Sequence, residues 1–278
     1  MIDILLATYK PNAKYLQEQE ASIRAQEAVR TNLIVHEDKQ GEGACVNFSE
    51  LMEMSKSEYV AFSDQDDVWR PDKLRKMLVR MRGMEAKYGK DAPLLVFCDS
   101  EVVDSAMQST GKTFLEWSRL DARRVKSRQI ILQNMVCGHA MLFNAALREK
   151  AKPIPSKAFM HDHWVTLVAS VFGHISYLPE ILVKYRQHGA NVIGASHVNL
   201  KYFLMRLTQG RKALHERLYA NIRQVEAFVE RYGDAAPKCF HALVGLQRKP
   251  YLMRVFILIR YGIFKQGLLR NIGTWLVV

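Results

Sequence analysis

Cysteine is scarce in this chain, and what there is lies scattered. The 278 residues hold four, Cys45, Cys98, Cys137 and Cys239, and no two of them form a CxxC pair. That excludes a zinc knuckle and a disulfide framework, which need closely spaced or regularly paired thiols; the four read as ordinary small buried residues. Long apolar runs are also missing. The most apolar segment, residues 251–264, is cut by Arg254 and Arg260, and its longest unbroken stretch is residues 255–259. A conventional bilayer span needs roughly 20. No basic n-region with an apolar h-region stands ahead of the strand-like run at residues 2–7 (IDILLA), so a cytoplasmic location is expected. Internal repeats and low-complexity tracts are absent as well.

What is present suits one large domain or a domain with an appendage. Hydrophobic residues make up 49% of the chain, enough for a sizeable core. The net charge of +12 is unevenly placed: from His197 onward there are fourteen Lys and Arg against four Asp and Glu. Nearly all the excess basicity therefore belongs to the C-terminal part. An acidic partner is implied, whether nucleic acid, an anionic membrane surface or a phosphorylated substrate.

Hydrophobic patterning divides the chain near residue 194. Before it, short apolar runs at residues 2–7, 32–35, 59–62, 94–98, 140–143 and 181–185 alternate with helical patterns at 14–26, 48–54 and 72–88. That alternation predicts an α/β fold with a mainly parallel sheet, whose ligands gather beyond the carboxyl ends of the strands. Beyond it the strand signals stop. Leu214, Leu218, Ile222, Val225 and Val229 recur at helical spacing with charged residues between them, the mark of an amphipathic helix. The expected division is residues 1–196 as a catalytic domain and 197–278 as a basic amphipathic helical extension, suited to lying on a membrane surface.

The most informative stretch is FSDQDDVW, residues 62–69, where three carboxylates within four residues follow the buried-looking run YVAF. Like charges this close repel, and a desolvated carboxylate is costly without a cation. A calcium loop of the EF-hand type fails, because counting from Asp64 its fifth and sixth positions fall on Val68 and Trp69. An aspartyl-nucleophile phosphatase and a purely structural acidic loop before a helix remain open. So does a site in which one carboxylate holds Mg²⁺ or Mn²⁺ against a diphosphate and another accepts from ribose hydroxyls.

Four motifs together favour the last reading: Ala7-Thr8-Tyr9 after the first strand, FSDQDDVW, MHDHW at residues 160–164, and YRQHGANVIG at residues 185–194. In this order, over roughly residues 2–194, they resemble the family 2 glycosyltransferases, and among them the rhamnosyltransferase-like branch. The resemblance implies a GT-A fold (a Rossmann-like sheet flanked by helices), a dTDP- or UDP-linked sugar donor, a divalent cation and transfer with inversion to a lipid-linked or polysaccharide acceptor. It places Thr8 and Tyr9 at the base, Asp64 near the ribose, Asp66 and His188 on the metal, Arg186 at the diphosphate, Gly138 near the donor sugar, and Asp162 as the catalytic base. The family pattern carries an Asp-Asp-Gly-Ser element after the second strand. Here residues 32–48, NLIVHEDKQGEGACVNF, are shortened by about one strand and helix, and Asp38 is the candidate base contact. A catalytically silent relative acting at a membrane surface is the alternative. Nucleic-acid binding through the basic tail rests on charge alone, with no aromatic interleaving or recognised motif, and no nucleic-acid partner is expected.

Overall fold

The computed structural model describes residues 1–187 and 211–278. Among these, eight strands form one sheet: β1 (Ile2–Thr8), β2 (Thr31–Glu37), β3 (Tyr59–Ser63), β4 (Val68–Trp69), β5 (Leu94–Val103), β6 (Ser109–Thr113), β7 (Met141–Asn144) and β8 (His174–Arg186). Their order is β2-β1-β3-β7-β5-β8-β4, with β6 added beside part of β5. β1 pairs in parallel with both β2 and β3, and β5 with β8, whereas β7 runs antiparallel between β3 and β5, and β4 and β6 pair antiparallel as well. The expected α/β sheet is therefore mixed rather than mainly parallel. The alternating pattern of strands and helices carried no signal for the reversed β7 or for the short strands β4 and β6.

Burial explains the centre. β1 is aliphatic on both faces, as a strand covered on both sides must be. Its Leu5 packs into the core on one face with Val60 and Phe62 of β3, while Ile2 and Ile4 join Tyr59 and Ala61 on the other. Alternate residues thus feed two cores, the period-2 geometry of a strand. Asp3, only 2% exposed, accepts hydrogen bonds from Asn32 Nδ2, Ser55 Oγ, the amides of Lys56 and Ser57, and Ser57 Oγ. Burial opposes its charge, but those bonds hold its carboxyl down at about 2.

The helices are α1 (Ala13–Arg24), α2 (Ala44–Met54), α3 (Lys73–Tyr88), α4 (Phe114–Ser118), α5 (Ser127–Ile130), α6 (Ala145–Ala151), α7 (His161–Phe172), α8 (Arg211–Tyr232), α9 (Lys238–His241), α10 (Tyr251–Arg260) and α11 (Leu268–Trp275). A single strand, β2, separates α1 from α2, so the shortened segment read from the sequence is short in the fold too. α8 is the expected amphipathic helix: Leu218, Ile222 and Val225 are buried, and Phe228 packs on Trp164, Phe172 and Phe240 with ring centroids 5.7, 5.8 and 5.0 Å apart. Each such large apolar side chain contributes about 1.5–3 kcal/mol, so the C-terminal helices share the core of the sheet domain. The boundary expected at residues 196/197 lies outside the described residues. Among the described residues no helix is long and apolar enough to cross a membrane.

Register fixes where the loops go. Thr8 aligns with Glu37 across β1 and β2, and Leu6 with Ser63 across β1 and β3. The segments that follow, beginning at Tyr9, Asp38 and Asp64, therefore leave the sheet along one carboxyl edge.

Candidate active site at the carboxyl edge of the sheet

A cavity of about 1100 Å³ lies at that edge, and Thr8, Tyr9, Asp38, Asp64, Asp66, Gly138 and Asp162 all line it. Seven residues from five separate segments, each singled out in the sequence, are brought to one space. Arg186 is not among the lining residues. It lies beneath the acidic loop, 1% exposed, with Nε donating to the Asp66 carbonyl (2.9 Å), Nη1 to the Ser105 carbonyl (3.0 Å), Nη2 paired with Glu18, and its guanidinium 4.0 Å from the Tyr15 ring centre. A buried arginine needs such partners, and here they hold the acidic loop from below. His188 lies outside the described residues.

Two loops build one wall. The Tyr9 amide donates to Gln65 Oε1 (2.8 Å) and Gln65 Nε2 to the Tyr9 carbonyl (3.1 Å), clamping the chain after β1 to the acidic loop. Asp38 gathers the amides of Gly41 (2.7 Å), Glu42 (3.0 Å) and Gly43 (2.8 Å). Donation by Gly43 foremost, with its neighbours, lowers the carboxyl below its usual value despite burial. Gly41 and Gly43 have φ of +77° and +97°, the left-handed region glycine tolerates, and the Tyr9 hydroxyl lies 3.4 Å from where a Cβ on Gly41 would stand.

The acidic loop follows β3. Asp67 is fully buried: Oδ1 accepts the Arg186 amide (3.1 Å), while Oδ2 has no hydrogen-bond partner and lies 3.3 Å from His139 Nδ1. Asp64 Oδ2 lies 3.5 Å from the same nitrogen. His139 Nε2 meets Ser100 Oγ at 2.9 Å, which fixes the ring so that Nδ1 faces both carboxylates. Behind them, the buried Lys73 ammonium donates to the His139 carbonyl (2.6 Å) over the Trp69 ring. Burial raises the Asp67 carboxyl, and the negative charges of Asp66 and Asp64 raise it further. Burial alone would lower His139, yet Asp67 and Asp64 outweigh it and raise the imidazole.

Asp64, Asp67 and His139 each offer one ligand atom, all within 4.8 Å of one another, the one such group among the described residues. Two carboxylates and an imidazole match the donors Mn²⁺ accepts, and the carboxylates suit Mg²⁺. Asp67 Oδ2, at 0% exposure and without a hydrogen bond, is an oxygen donor still to be satisfied. The residues fit a divalent ion. Asp66 lies beside this group, lining the cavity, but is not part of it.

Opposite stands α7. Its second residue, Asp162, accepts from the His163 amide (2.5 Å) and from the Gly138 amide (3.2 Å). Burial pushes its carboxyl up to about 7, against the pull of those two amides. His161 stacks on Phe48 (centroids 3.8 Å apart) and meets Phe62 edge-on; burial lowers it to about 4, so it is neutral. His163 turns elsewhere and bonds the Ile130 carbonyl at 2.8 Å. The two histidines of HDHW therefore diverge, and zinc has no pair here. Gly138 is required where it stands: a Cβ would lie 2.7 Å from His161 Nε2. Trp69 and Trp164 belong to the core at 2% and 0% exposure.

Sequence reasoning missed His139 and Lys73. His139 follows Gly138, the one residue of this stretch singled out in the sequence, and it reaches Asp64 and Asp67 because β7 pairs antiparallel with β3. A histidine directly after a glycine at the start of an apolar strand was the available signal.

Residues 17–150 match the sequence profile of Glycosyl transferase family 2. That stretch carries the sequence pattern of a family 2 glycosyltransferase domain. The structure is also similar to that of S. aureus TarS 1-349 in complex with UDP-GlcNAc, at 12% identity over 99% of this chain and 90% of that one, with a TM-score of 0.53. The UDP complex of the same protein gives 12% identity, 99% and 89% coverage, and 0.53. At that identity the likeness shows the fold, and the glycosyltransferase domain has the GT-A arrangement expected of it. No curated protein sequence matches the chain.

Proposed function

We propose that this glycosyltransferase is metal-dependent and inverting, and that it moves a sugar from a dTDP- or UDP-linked donor to a hydroxyl of a lipid-linked or cell-surface polysaccharide acceptor. Rhamnose is the sugar the motif resemblance favours, and the inner face of a membrane is the proposed place of work. The observation that carries the reading is that one cavity is lined both by Asp64 and His139 of the acidic group and by Asp162, a carboxylate with an affinity for protons near neutrality.

Tyr9, Thr8 and the loop held by Asp38 would receive the nucleoside. Asp64, Asp67 and His139 would hold Mg²⁺ or Mn²⁺, with Asp66 beside them and His188 as the further ligand the resemblance suggests. When bound, the cation supplies charge stabilisation for the departing nucleoside diphosphate, worth several kcal/mol. Gly138 keeps the floor of the donor-sugar region low. Asp162 accepts the proton of the acceptor hydroxyl as its oxygen attacks the anomeric carbon from the side opposite the leaving group, which inverts that centre. A base with a pKa near the working pH combines a large ionised fraction with real proton affinity. Residues up to about 196 would form the catalytic part and those beyond it a helical extension. The structural neighbour's UDP and UDP-GlcNAc complexes support a uridine donor as the first to try.

Calorimetric titration with UDP and dTDP, with and without Mn²⁺, tests the reading. Nucleotide binding should require the metal and be lost in Asp67→Ala, with Asp66→Ala reporting whether the neighbouring acid also takes part. Nucleotide affinity indifferent to both metal and Asp67 would overturn it.

A further inference from the structure

α10 is apolar on the side that faces water. Ile257 and Leu258 are buried against the domain, and Arg254 is turned inward, with Nε donating to the Lys249 carbonyl (2.7 Å) and Nη1 to the Tyr219 hydroxyl (3.0 Å). Outward stand Leu252, Phe256 and Ile259, at the i, i+4, i+7 spacing of one helical face, 79%, 62% and 52% exposed, with Met253 beside them at 51%. A water-facing helix surface ordinarily carries its polar residues there. The patch extends beyond the helix: the Tyr251 hydroxyl donates to the Trp275 carbonyl (3.0 Å), which brings the exposed Leu276 alongside. Leu268, at the start of α11, is 70% exposed.

The charges along this part of the chain are of one sign. Residues 235–278 contain seven Lys and Arg and not one Asp or Glu. That separates the possible occupants. A second copy meeting the same face would set one basic segment against another with no acid of that segment to offset them, which is unfavourable. An anionic lipid surface offers both an apolar layer for the leucines, phenylalanine and isoleucine and negative headgroups for the basic residues. The cavity adjoins this face. Leu269, Arg270, Gly273 and Thr274 of α11 line it, so the helix that presents Leu268 outward presents its next residue to the site.

We infer that α10, with the start of α11 and Leu276, is the surface by which this protein docks on anionic membrane lipid, placing the mouth of the cavity at the headgroups where a lipid-linked acceptor would lie. The inference deepens the proposed function and rests on it for the acceptor, but the docking is read without sugar transfer. Flotation with vesicles of phosphatidylcholine and phosphatidylglycerol, and with phosphatidylcholine alone, is the experiment. The intact protein should float with the mixed vesicles, much less with the neutral ones, and less as salt is raised. Leu252→Ser, Phe256→Ser and Ile259→Ser together should lower partition at least about tenfold with donor hydrolysis in vesicle-free buffer unchanged. Lys249→Glu with Arg260→Glu should abolish the preference for phosphatidylglycerol. The idea is overturned if the intact protein ignores both vesicles, if the triple serine variant floats like the parent, or if sedimentation velocity finds a dimer that the triple variant dissolves. Any of these would leave the metal-dependent nucleotide titration, and with it the transferase reading, standing.

Discussion

Replacing Asp162 with asparagine should make the protein slower and, at neutral pH, more stable. Asparagine preserves the shape but keeps an oxygen for only one of the two amides, since Gly138 donates to Oδ2 (3.2 Å) and His163 to Oδ1 (2.5 Å), and it cannot take a proton. The loss expected for a general base is about 10²- to 10⁴-fold in turnover, or about 3–5 kcal/mol of barrier. In the free enzyme the wild-type rate should fall about tenfold per pH unit below about 7, because only the ionised carboxylate accepts the acceptor's proton. The stability effect has the opposite sense. The Asp162 carboxyl rises from 3.8 to about 7 on folding, so between those values the native state binds a proton the unfolded chain has released. Wild-type stability must then fall as pH rises through that window. The asparagine variant is spared this: from a constant cost of about 1–3 kcal/mol for the amide left facing its NH2, it should gain on wild type by up to about 1.4 kcal/mol per pH unit, the gain levelling at no more than about 4 kcal/mol above pH 7. Solvent in the open cavity trims that ceiling. Urea denaturation of the metal-free protein at several pH values, beside initial rates of transfer, reads both quantities. Turnover within a few-fold of wild type, or a stability difference that ignores pH, would refute the assignment of Asp162 and its buried charge together.

Other substitutions separate the site from the scaffold. Gly138→Ala sets a methyl 2.7 Å from a His161 ring that Phe48 and Phe62 hold in place; it should cost about 1–3 kcal/mol in stability and lower kcat more than KM, because the amide donated to Asp162 moves. Gly173→Ala brings a Cβ to 1.7 Å from the Pro93 carbonyl oxygen, a backbone atom; a melting temperature lower by about 10 °C or more, or failure to fold, is expected far from any chemistry. Asp3, held at about 2 against 3.8 when unfolded, contributes about 2 kcal/mol above pH 4 that disappears as pH falls towards 2. Denaturation of Asp3→Asn across that range should show the acid limb flattened.

Much of this architecture was legible because local signals and tertiary structure agree. The run IDILLA becomes β1, the helical spacing of Leu218, Ile222 and Val225 becomes the buried face of α8, and FSDQDD leaves β3 at the sheet's carboxyl edge. Asp162 fell in the first turn of a helix as an acid beside the positive dipole end. What was not legible depends on contacts between distant segments. His139 joins Asp64 and Asp67 only through the reversed strand β7, and nothing local to residues 137–144 states that direction. Arg186 resembled a ligand for diphosphate, since a positive side chain beside a nucleotide motif reads that way. Its contacts with the Asp66 and Ser105 carbonyls place it underneath the loop instead, and no pattern along the chain distinguishes the two faces.

Gly138 and His139 are consecutive, and they serve different parts of the site. One peptide link joins the amide on which Asp162 leans to the imidazole that completes the acidic trio. Were Asp64, Asp67 and His139 to hold an ion, any movement of the imidazole would pass to the amide one residue away, so donor loading and activation of the alcohol would share one short piece of backbone. Efforts to retune the enzyme for a different ion would therefore disturb the acceptor half-reaction as well, and the two traits should be selected jointly.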